Sequence, residues 1–288
     1  MIARFWRNAA QAAACLMAFP AQGMAHDDLA SRVVALGGSV TEIVVALGAA
    51  DRLVARDSTS TYPHTILPLP DVGYLRALSP EGVLALNPTL ILAEDDAGPI
   101  EAVDVLRAAG VPFVTMPDDP TPAGVAAKVM AVADALGLQA EGAVLAAQIT
   151  ADLAAMSTVT SRVSAPKRVL FILSAQDGRI TAAGDGTAAA GMITLAGGIN
   201  AATGFDGYKH MTDEAVLTAA PDVILMMDRA GDHAASTADL LALPALATSP
   251  AAASRQVIRM DGLLLLGFGP RVAQAARSLH AALYPQKG

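Results

Sequence analysis

Two side chains in the segment DVGYLRALSPEG, Tyr74 and Arg76, have the types and the spacing to do chemistry together. Residues two apart in an extended segment project to the same side. A tyrosine oxygen is a known axial ligand of ferric haem iron, and it binds as the phenolate. The ordinary phenol pKa is about 10, so ionisation needs support, and a guanidinium beside the oxygen supplies it. The same pair fits a plainer role, a half-buried tyrosine sealing a loop onto the next helix. Spacing alone leaves both readings open.

Two carboxylates form a second pair. Ser79 and Thr212 read as helix N-caps, with Glu81 and Glu214 in the first turn that follows each. There they complement the helix dipole, worth about 0.3–1 kcal/mol each. They also stand at equivalent points of an internal repeat, so they could meet two basic pockets on a partner with two-fold symmetry. Ser39 and Glu42 have the spacing of a capping box, which accounts for Glu42 structurally.

Enzyme signatures are missing. GDGTAAAG at 184–191 lacks the spacing of a dinucleotide or phosphate loop and reads as a tight turn into a helix. There is no GxSxG elbow and no HExxH, and His26, His64, His210, His233 and His280 are scattered without metal-ligand spacing.

The elements that must position these residues alternate. Apolar runs of strand length (RVVALGG, RLVAR, TLILA, VPFVTM) are separated by helical patterns (SVTEIVVALG, LSPEGVLALNP, GPIEAVDVLRAAG). Such alternation predicts a mainly parallel sheet covered by helices. Residues from about Pro122 to Val163 are helical in pattern, with Gly137 as the break, and the alternation restarts at RVLFIL. The second half then repeats the first. LSPEGVLALNPTLIL lies over MTDEAVLTAAPDVIL at a constant offset of 133, pairing Glu81 with Glu214 and Pro88 with Pro221. Two homologous lobes are expected, with a ligand cleft between them beyond the carboxyl ends of the strands.

Composition agrees with an exported protein. The 288 residues are 53% hydrophobic and 16% charged, with a formal charge of −8. MIARFWR, a short apolar stretch and PAQGMA make a signal peptide over residues 1–25. Its removal deletes Arg4, Arg7 and the single cysteine, Cys15, leaving a charge of −10 and neither disulfide nor thiolate chemistry. An acidic chain of this kind is a poor partner for nucleic acid or an anionic membrane. No later segment reads as a membrane span.

Five stretches carry a family resemblance: GGSVTEIVVALGAADRLVARDSTSTYP, LPDVGYLRALSPEGVLALNP, GTAAAGMITLAGGINA, GYKHMTDEAVLTAAPDVILM and LLLLGFGPR. In order and extent the chain resembles the periplasmic haem-binding proteins of bacterial haem-uptake ABC transporters. These belong to a superfamily that also binds metals, vitamin B12 and siderophores. The first and fourth stretches are partly shared with those wider relatives, and VGYLRALS points to haem. The resemblance implies an α/β fold: an N-terminal lobe at 26–138, one long bridging helix at 139–163 and a C-terminal lobe at 164–288, both lobes Rossmann-like. It implies haem b carried in the cleft as cargo, Tyr74 as axial iron ligand, Arg76 in support, and Glu81 and Glu214 docking on an inner-membrane permease with its ATPase. A haem-donating outer-membrane receptor system is a further expected partner, and the chain is expected to act as a periplasmic monomer. A ferric siderophore or vitamin B12 is the alternative cargo.

In the second-lobe counterpart FDGYKHMT, Tyr208 falls one position beyond the internal equivalent of Tyr74 and could face the cleft from the other side. Lys209 is either a haem-propionate partner or a solvated lysine. His210 is a second iron ligand, a contact to a second stacked haem, or a polar rim residue. His64 reads as an exposed loop histidine. Ser58, Thr59 and Ser60 offer hydroxyls to a ligand or form turns, and Arg271 reads as structural, bracing the lobe interface.

Overall fold

The computed structural model describes residues 30–176, 178–228 and 236–285. The expected signal peptide with Cys15, together with His26 and His233, lies outside the described residues.

The first lobe is a parallel sheet. Its strands are β1 (Val33–Leu36), β2 (Leu53–Arg56), β3 (Leu90–Glu94) and β4 (Phe113–Met116), in the order β2-β1-β3-β4. Val33, Val34, Ala35 and Leu36 are all fully buried, as a central strand covered on both faces requires. The helices α1 (Gly38–Ala46), α2 (Pro80–Leu84) and α3 (Ile100–Ala108) provide that cover.

Two helices follow, α4 (Pro122–Leu136) and α5 (Gln139–Thr160). Thr121 caps the first by accepting from Gly124 N–H at 3.1 Å. Gly137, at φ 73°, ends it in the left-handed conformation. α4 packs on α1 and β4, while α5 packs on α4 and on the second lobe. The buried stripe of α5 is Gly142, Ala146, Ile149, Leu153 and Met156, one face at helical spacing. By length and composition α5 could cross a membrane, yet that stripe is packed inside the protein. A Cβ on Gly142 would stand 2.3 Å from the Ala133 Cβ, so glycine is what lets the two helices approach.

The second lobe contains β5 (Arg168–Gln176), β6 (Arg179–Ala183), β7 (Ile199–Asn200), β8 (Tyr208–Met211), β9 (Val223–Met227) and β10 (Val257–Met260). Its described helices are α6 (Ala188–Leu195), α7 (Asp213–Ala219), α8 (Thr237–Leu241), α9 (Pro250–Ser254), α10 (Gly262–Leu266) and α11 (Val272–Leu283). β7, β5, β9 and β10 are parallel neighbours and repeat the first sheet. β6 and β8 are different: they run antiparallel as an arm at the sheet edge. The parallel expectation thus holds fully for the first sheet and for four strands of the second.

The repeat holds in three dimensions. β3 maps onto β9 residue for residue at the offset of 133 read from the sequence. The N-caps Ser79 and Thr212 coincide at the same offset. One apolar core runs from the first sheet through α4 and α5 to the inner face of the second, with a satellite core on each outer face. Each large side chain buried there contributes roughly 1.5–3 kcal/mol.

Candidate ligand-binding cleft

In the first lobe the strand ends converge on the N-terminus of α1. Asp57, fully buried, accepts from Gly37 N–H at 3.0 Å, from Thr59 N–H at 3.0 Å, from Thr59 Oγ1 at 2.7 Å and from Ser60 Oγ at 2.6 Å. The Thr59 and Ser60 hydroxyls are therefore committed to the turn. Glu94 takes the next position, accepting from Ser39 N–H at 3.3 Å and Ser39 Oγ at 2.6 Å. Lys128, 1% exposed, donates to Ser39 Oγ at 3.3 Å and to Asp118 at 2.8 Å. A helix N-terminus at a strand switch point is a ready anion site. Here the chain fills it with its own carboxylates. Burial, offset in part by Lys128 and Ser39, pushes the Glu94 carboxyl up to about 7. Asp95 beside it is also raised, by burial and then by Asp118 and Asp96.

The capping box expected at Ser39 and Glu42 does not form. The chain turns at Gly37, φ 120°, which is the N-cap, so Ser39 already lies inside α1 and cannot cap it. Its hydroxyl turns to Glu94, and Glu42 pairs with Arg271, 229 residues away.

The Tyr74 loop is stitched down on both sides of the tyrosine. Gly73, at φ 92°, donates its N–H to Asp71 at 2.9 Å, and its carbonyl accepts from Ser58 N–H at 2.9 Å. Leu75 and Leu78 are buried anchors, and Gly98 bridges them by bonds of 2.8 Å to Leu75 O and from Leu78 N–H. Alternation then turns Tyr74 and Arg76 outward, with Tyr74 42% exposed. One guanidinium serves two oxygens: Arg76 Nη1 donates to the Tyr74 phenol and Nη2 to the Asp96 carboxylate. Burial weighs against the Arg76 charge, but these two hydrogen bonds outweigh it and hold the group above its ordinary value.

Across the cleft stands β8, whose register decides which residues face it. His210 pairs with Thr181 and Tyr208 with Ala183, whereas Lys209 pairs with Ala182. Ala183 belongs to the core between the lobes and Ala182 to the outer satellite core. Tyr208 and His210 therefore face inward, and Lys209 lies on the opposite face, its Nζ 5.9 Å from the Phe205 ring centre. Tyr208 meets the buried Phe171 edge-on at 6.4 Å. Burial raises the Tyr208 phenol, Arg76 acts against that rise, and Asp118 adds to it. Two groups of the first lobe thus reach a side chain of the second. His210 Nδ1 is 2.9 Å from Thr181 Oγ1, a contact that orients the ring.

Below the cleft the lobes are joined tightly. Arg271, preceding α11, grips Glu42 of α1 through one guanidinium edge, Nε donating to Oε2 at 2.9 Å and Nη2 to Oε1. The Tyr62 ring stacks on the same guanidinium, with Cζ 3.7 Å from its centre. Burial lifts the Glu42 carboxyl despite its partner. A Cβ on Gly38 would come within 2.4 Å of Leu263, and one on Gly191 within 2.5 Å of the Pro120 carbonyl. Sequence reasoning found Arg271 as a brace; its partner it had assigned elsewhere. It passed over Lys128, Glu94 and Asp96. Lys128 stands on the apolar stripe of Val125, Val129 and Val132, and the acids form a run ending β3 at the ligand side of the sheet, both visible signals.

Glu81 and Glu214 do not join the cleft cluster. Both are exposed, in the first turns of α2 and α7, where Ser79 and Thr212 cap as expected. His64 lies beside Tyr62, ring centres 6.3 Å apart. Among the described residues no group of three or more His, Cys, Asp or Glu could hold a bare metal ion.

Known structures share this architecture. The periplasmic heme-binding protein BhuT in complex with two hemes superposes with a TM-score of 0.83 at 42% identity, covering 88% of this chain and 97% of that one. The periplasmic heme-binding protein RhuT from Roseiflexus sp. RS-1 in apo form gives 0.84 at 41% identity, covering 88% and 98%. An uncharacterized ABC transporter substrate-binding lipoprotein of Bacillus subtilis, YvrC, is 26% identical over 257 residues, 88% of this chain and 80% of its own length. Residues 33–263 match the family described as periplasmic binding protein, and the chain belongs to that family.

Proposed function

We propose that this protein is a periplasmic haem-binding protein that captures ferric haem between its lobes and delivers it to an inner-membrane ABC permease with its ATPase. The lobes are residues 26–138 and 164–288, and residues 139–163 link them. The observation that carries the reading is the Tyr74 phenol, exposed at the cleft mouth with the Arg76 guanidinium hydrogen-bonded to its oxygen. A cation so placed favours phenolate, the form that ligates ferric iron. Tyr208 and His210 face the same space from β8. Haem heme-binding relatives of 41–42% identity over nearly their whole length support the cargo. Haem here is cargo, not a catalytic cofactor, and the reading is a binding protein rather than an enzyme.

Haem propionates have no place at the α1 N-terminus, which Asp57 and Glu94 occupy. Lys209 can reach a propionate only around the edge of β8. Glu81 and Glu214, exposed at equivalent points of the two lobes, are the contacts for the permease. The chain works as a monomer, supplied by an outer-membrane receptor system after export on its signal peptide.

Absorbance titration of residues 26–288 with haemin, beside Tyr74→Ala, tests the reading. A saturable ferric high-spin spectrum, lost or shifted in the variant, is expected. No saturable binding would sink it. It would leave a ferric siderophore or vitamin B12, either of which keeps the Tyr74 oxygen off the metal, as the cargo. Saturable binding insensitive to the substitution would mean that haem is held elsewhere.

A further inference from the structure

We propose that Asp96 decides which of two tyrosines Arg76 serves, and so assigns the iron-ligand role to Tyr74 rather than Tyr208. The inference rests on the haem reading above.

Arg76 hydrogen-bonds to the Tyr74 phenol of the first lobe, and the Tyr208 phenol faces the same cleft from β8 of the second. An arginine side chain is long and has many rotamers to lose when it is fixed. This one is half in solvent, its side chain 54% exposed, so packing does not fix it. What fixes it is the fork. The guanidinium is planar and rigid, so holding one terminal nitrogen sets the direction of the other. Asp96 holds Nη2, which leaves Nη1 aimed at the Tyr74 oxygen.

Asp96 can do this because its own backbone is held. It lies two residues past the end of β3, the Ala97 N–H bonds back to Glu94 O at 3.2 Å, and Gly98 is tied to the tyrosine loop at Leu75 and Leu78. Of the other acids nearby, Glu94 is committed to Ser39 and Asp118 to Lys128. Without Asp96 the guanidinium is free to turn to either phenol, and both tyrosines become competent to hold iron.

The test uses the mature chain with haemin, in Asp96→Ala and Asp96→Asn, each alone and combined with Tyr74→Phe or Tyr208→Phe. Resonance Raman and electron paramagnetic resonance read the ligation. The wild type should show one ferric tyrosinate species. Asp96→Ala should show two and release haem roughly tenfold faster, the loss expected when a hydrogen bond to a charged group is no longer held. Adding Tyr208→Phe should collapse the two species into one. Asp96→Ala with Tyr74→Phe should keep a tyrosinate signature that Tyr74→Phe alone lacks. Asn, which retains an acceptor, should fall between. A single wild-type species in Asp96→Ala overturns the proposal, and so does an Asp96→Ala effect that persists undiminished in an Arg76→Ala background.

One arm needs no haem. In the free protein labelled with ¹⁵N-arginine, the Arg76 side-chain signal, identified by its loss in Arg76→Lys, should report restricted rotation that Asp96→Ala relaxes. Unchanged restriction overturns the role of Asp96 whatever the cargo. Relaxed rotation in a chain that takes up no haem would instead uphold the orienting role and overturn the assignment of an iron ligand together with the proposed function.

Discussion

The two lobes share a frame and differ at the mouth. In the first, Arg32 Nε bonds to Asn87 O at 2.9 Å, at the end of α2; in the second, Arg168 Nε bonds to Ala219 O at 2.9 Å, at the end of α7. Arg32 N–H is taken by Thr89 at 3.0 Å and Arg168 N–H by Asp222 at 2.8 Å, the residues after Pro88 and Pro221. In both lobes these contacts tie the start of the first strand to the end of the capped helix and the loop that follows it. The mouths have diverged. The first is an irregular loop carrying Tyr74, Arg76 and Asp96; the second is an antiparallel arm carrying Tyr208 and His210. Packing constrains the frame, whereas a ligand rim needs only to be held in place, so chemistry accumulates there.

The most damaging way to break the comparison is to disconnect the lobes. Arg271→Met leaves Glu42, 5% exposed, without its cation. Removing one partner of a buried pair costs about 3–5 kcal/mol. Chemical denaturation should show a loss in the lower part of that range or somewhat below it, since Arg271 keeps 18% of its side chain in water. A loss under about 1 kcal/mol would mean that the glycine-lined seam alone holds the lobes.

The second break is by pH, and it belongs to one lobe. α1 receives carboxylates from Asp57 and Glu94, whereas α6 is capped by the neutral Thr187, which accepts from Ala190 N–H at 3.2 Å. Glu94 titrates in the folded chain at about 7 against an ordinary 4.5. The folded state therefore holds this proton more tightly than the unfolded state. Its contribution is complete below pH 4.5 and is lost as pH rises through 7, by about 3 kcal/mol. Lys128, Asp96 and Asp118 surround the group, so the slope is measured against Glu94→Gln, which keeps an acceptor for Ser39. The variant should gain stability over wild type between pH 5 and pH 8 (roughly the window of that titration); parallel profiles would refute the assignment.

The third contrast sets one tyrosine against the other. Tyr74→Phe should weaken haem binding about a hundredfold, and Tyr208→Phe less than tenfold, if one guanidinium-supported phenolate carries the iron. Equal losses would make the two mouths equivalent as ligand donors.

What could be read in advance follows the same division. Strands such as β1 announce themselves as unbroken apolar runs, and α2 and α7 by cap and proline. Apolar periodicity is a property of the chain itself. The arm of β6 and β8 carries no such signal: Tyr208, Lys209 and His210 are all exposed, so the pleat is invisible in their hydropathy. The Ser39–Glu42 spacing misled because a cap depends on where the backbone turns, and Gly37 moved that turn. Asp96 and Glu42 find their partners 20 and 229 residues away, which no local pattern contains.

The finest contrast lies within the shared frame. Asn87 and Ala220 sit at the same point of the repeat, one residue before its proline, and both are left-handed, at φ 48° and 39°. Asparagine tolerates that region because its side chain bonds locally; alanine brings a Cβ close to a carbonyl at a cost of about 1–2 kcal/mol. The second lobe thus carries strain that the first avoids. Ala220→Gly should raise stability by about 1 kcal/mol once the added freedom of the unfolded glycine is subtracted, while Asn87→Gly should be neutral or slightly destabilising. Thermal denaturation of the two variants decides it. A stabilised Ala220→Gly would show that duplication preserved the backbone turn before it preserved the residue suited to it. A destabilised one would mean that the Ala220 methyl packs well enough to offset its own strain.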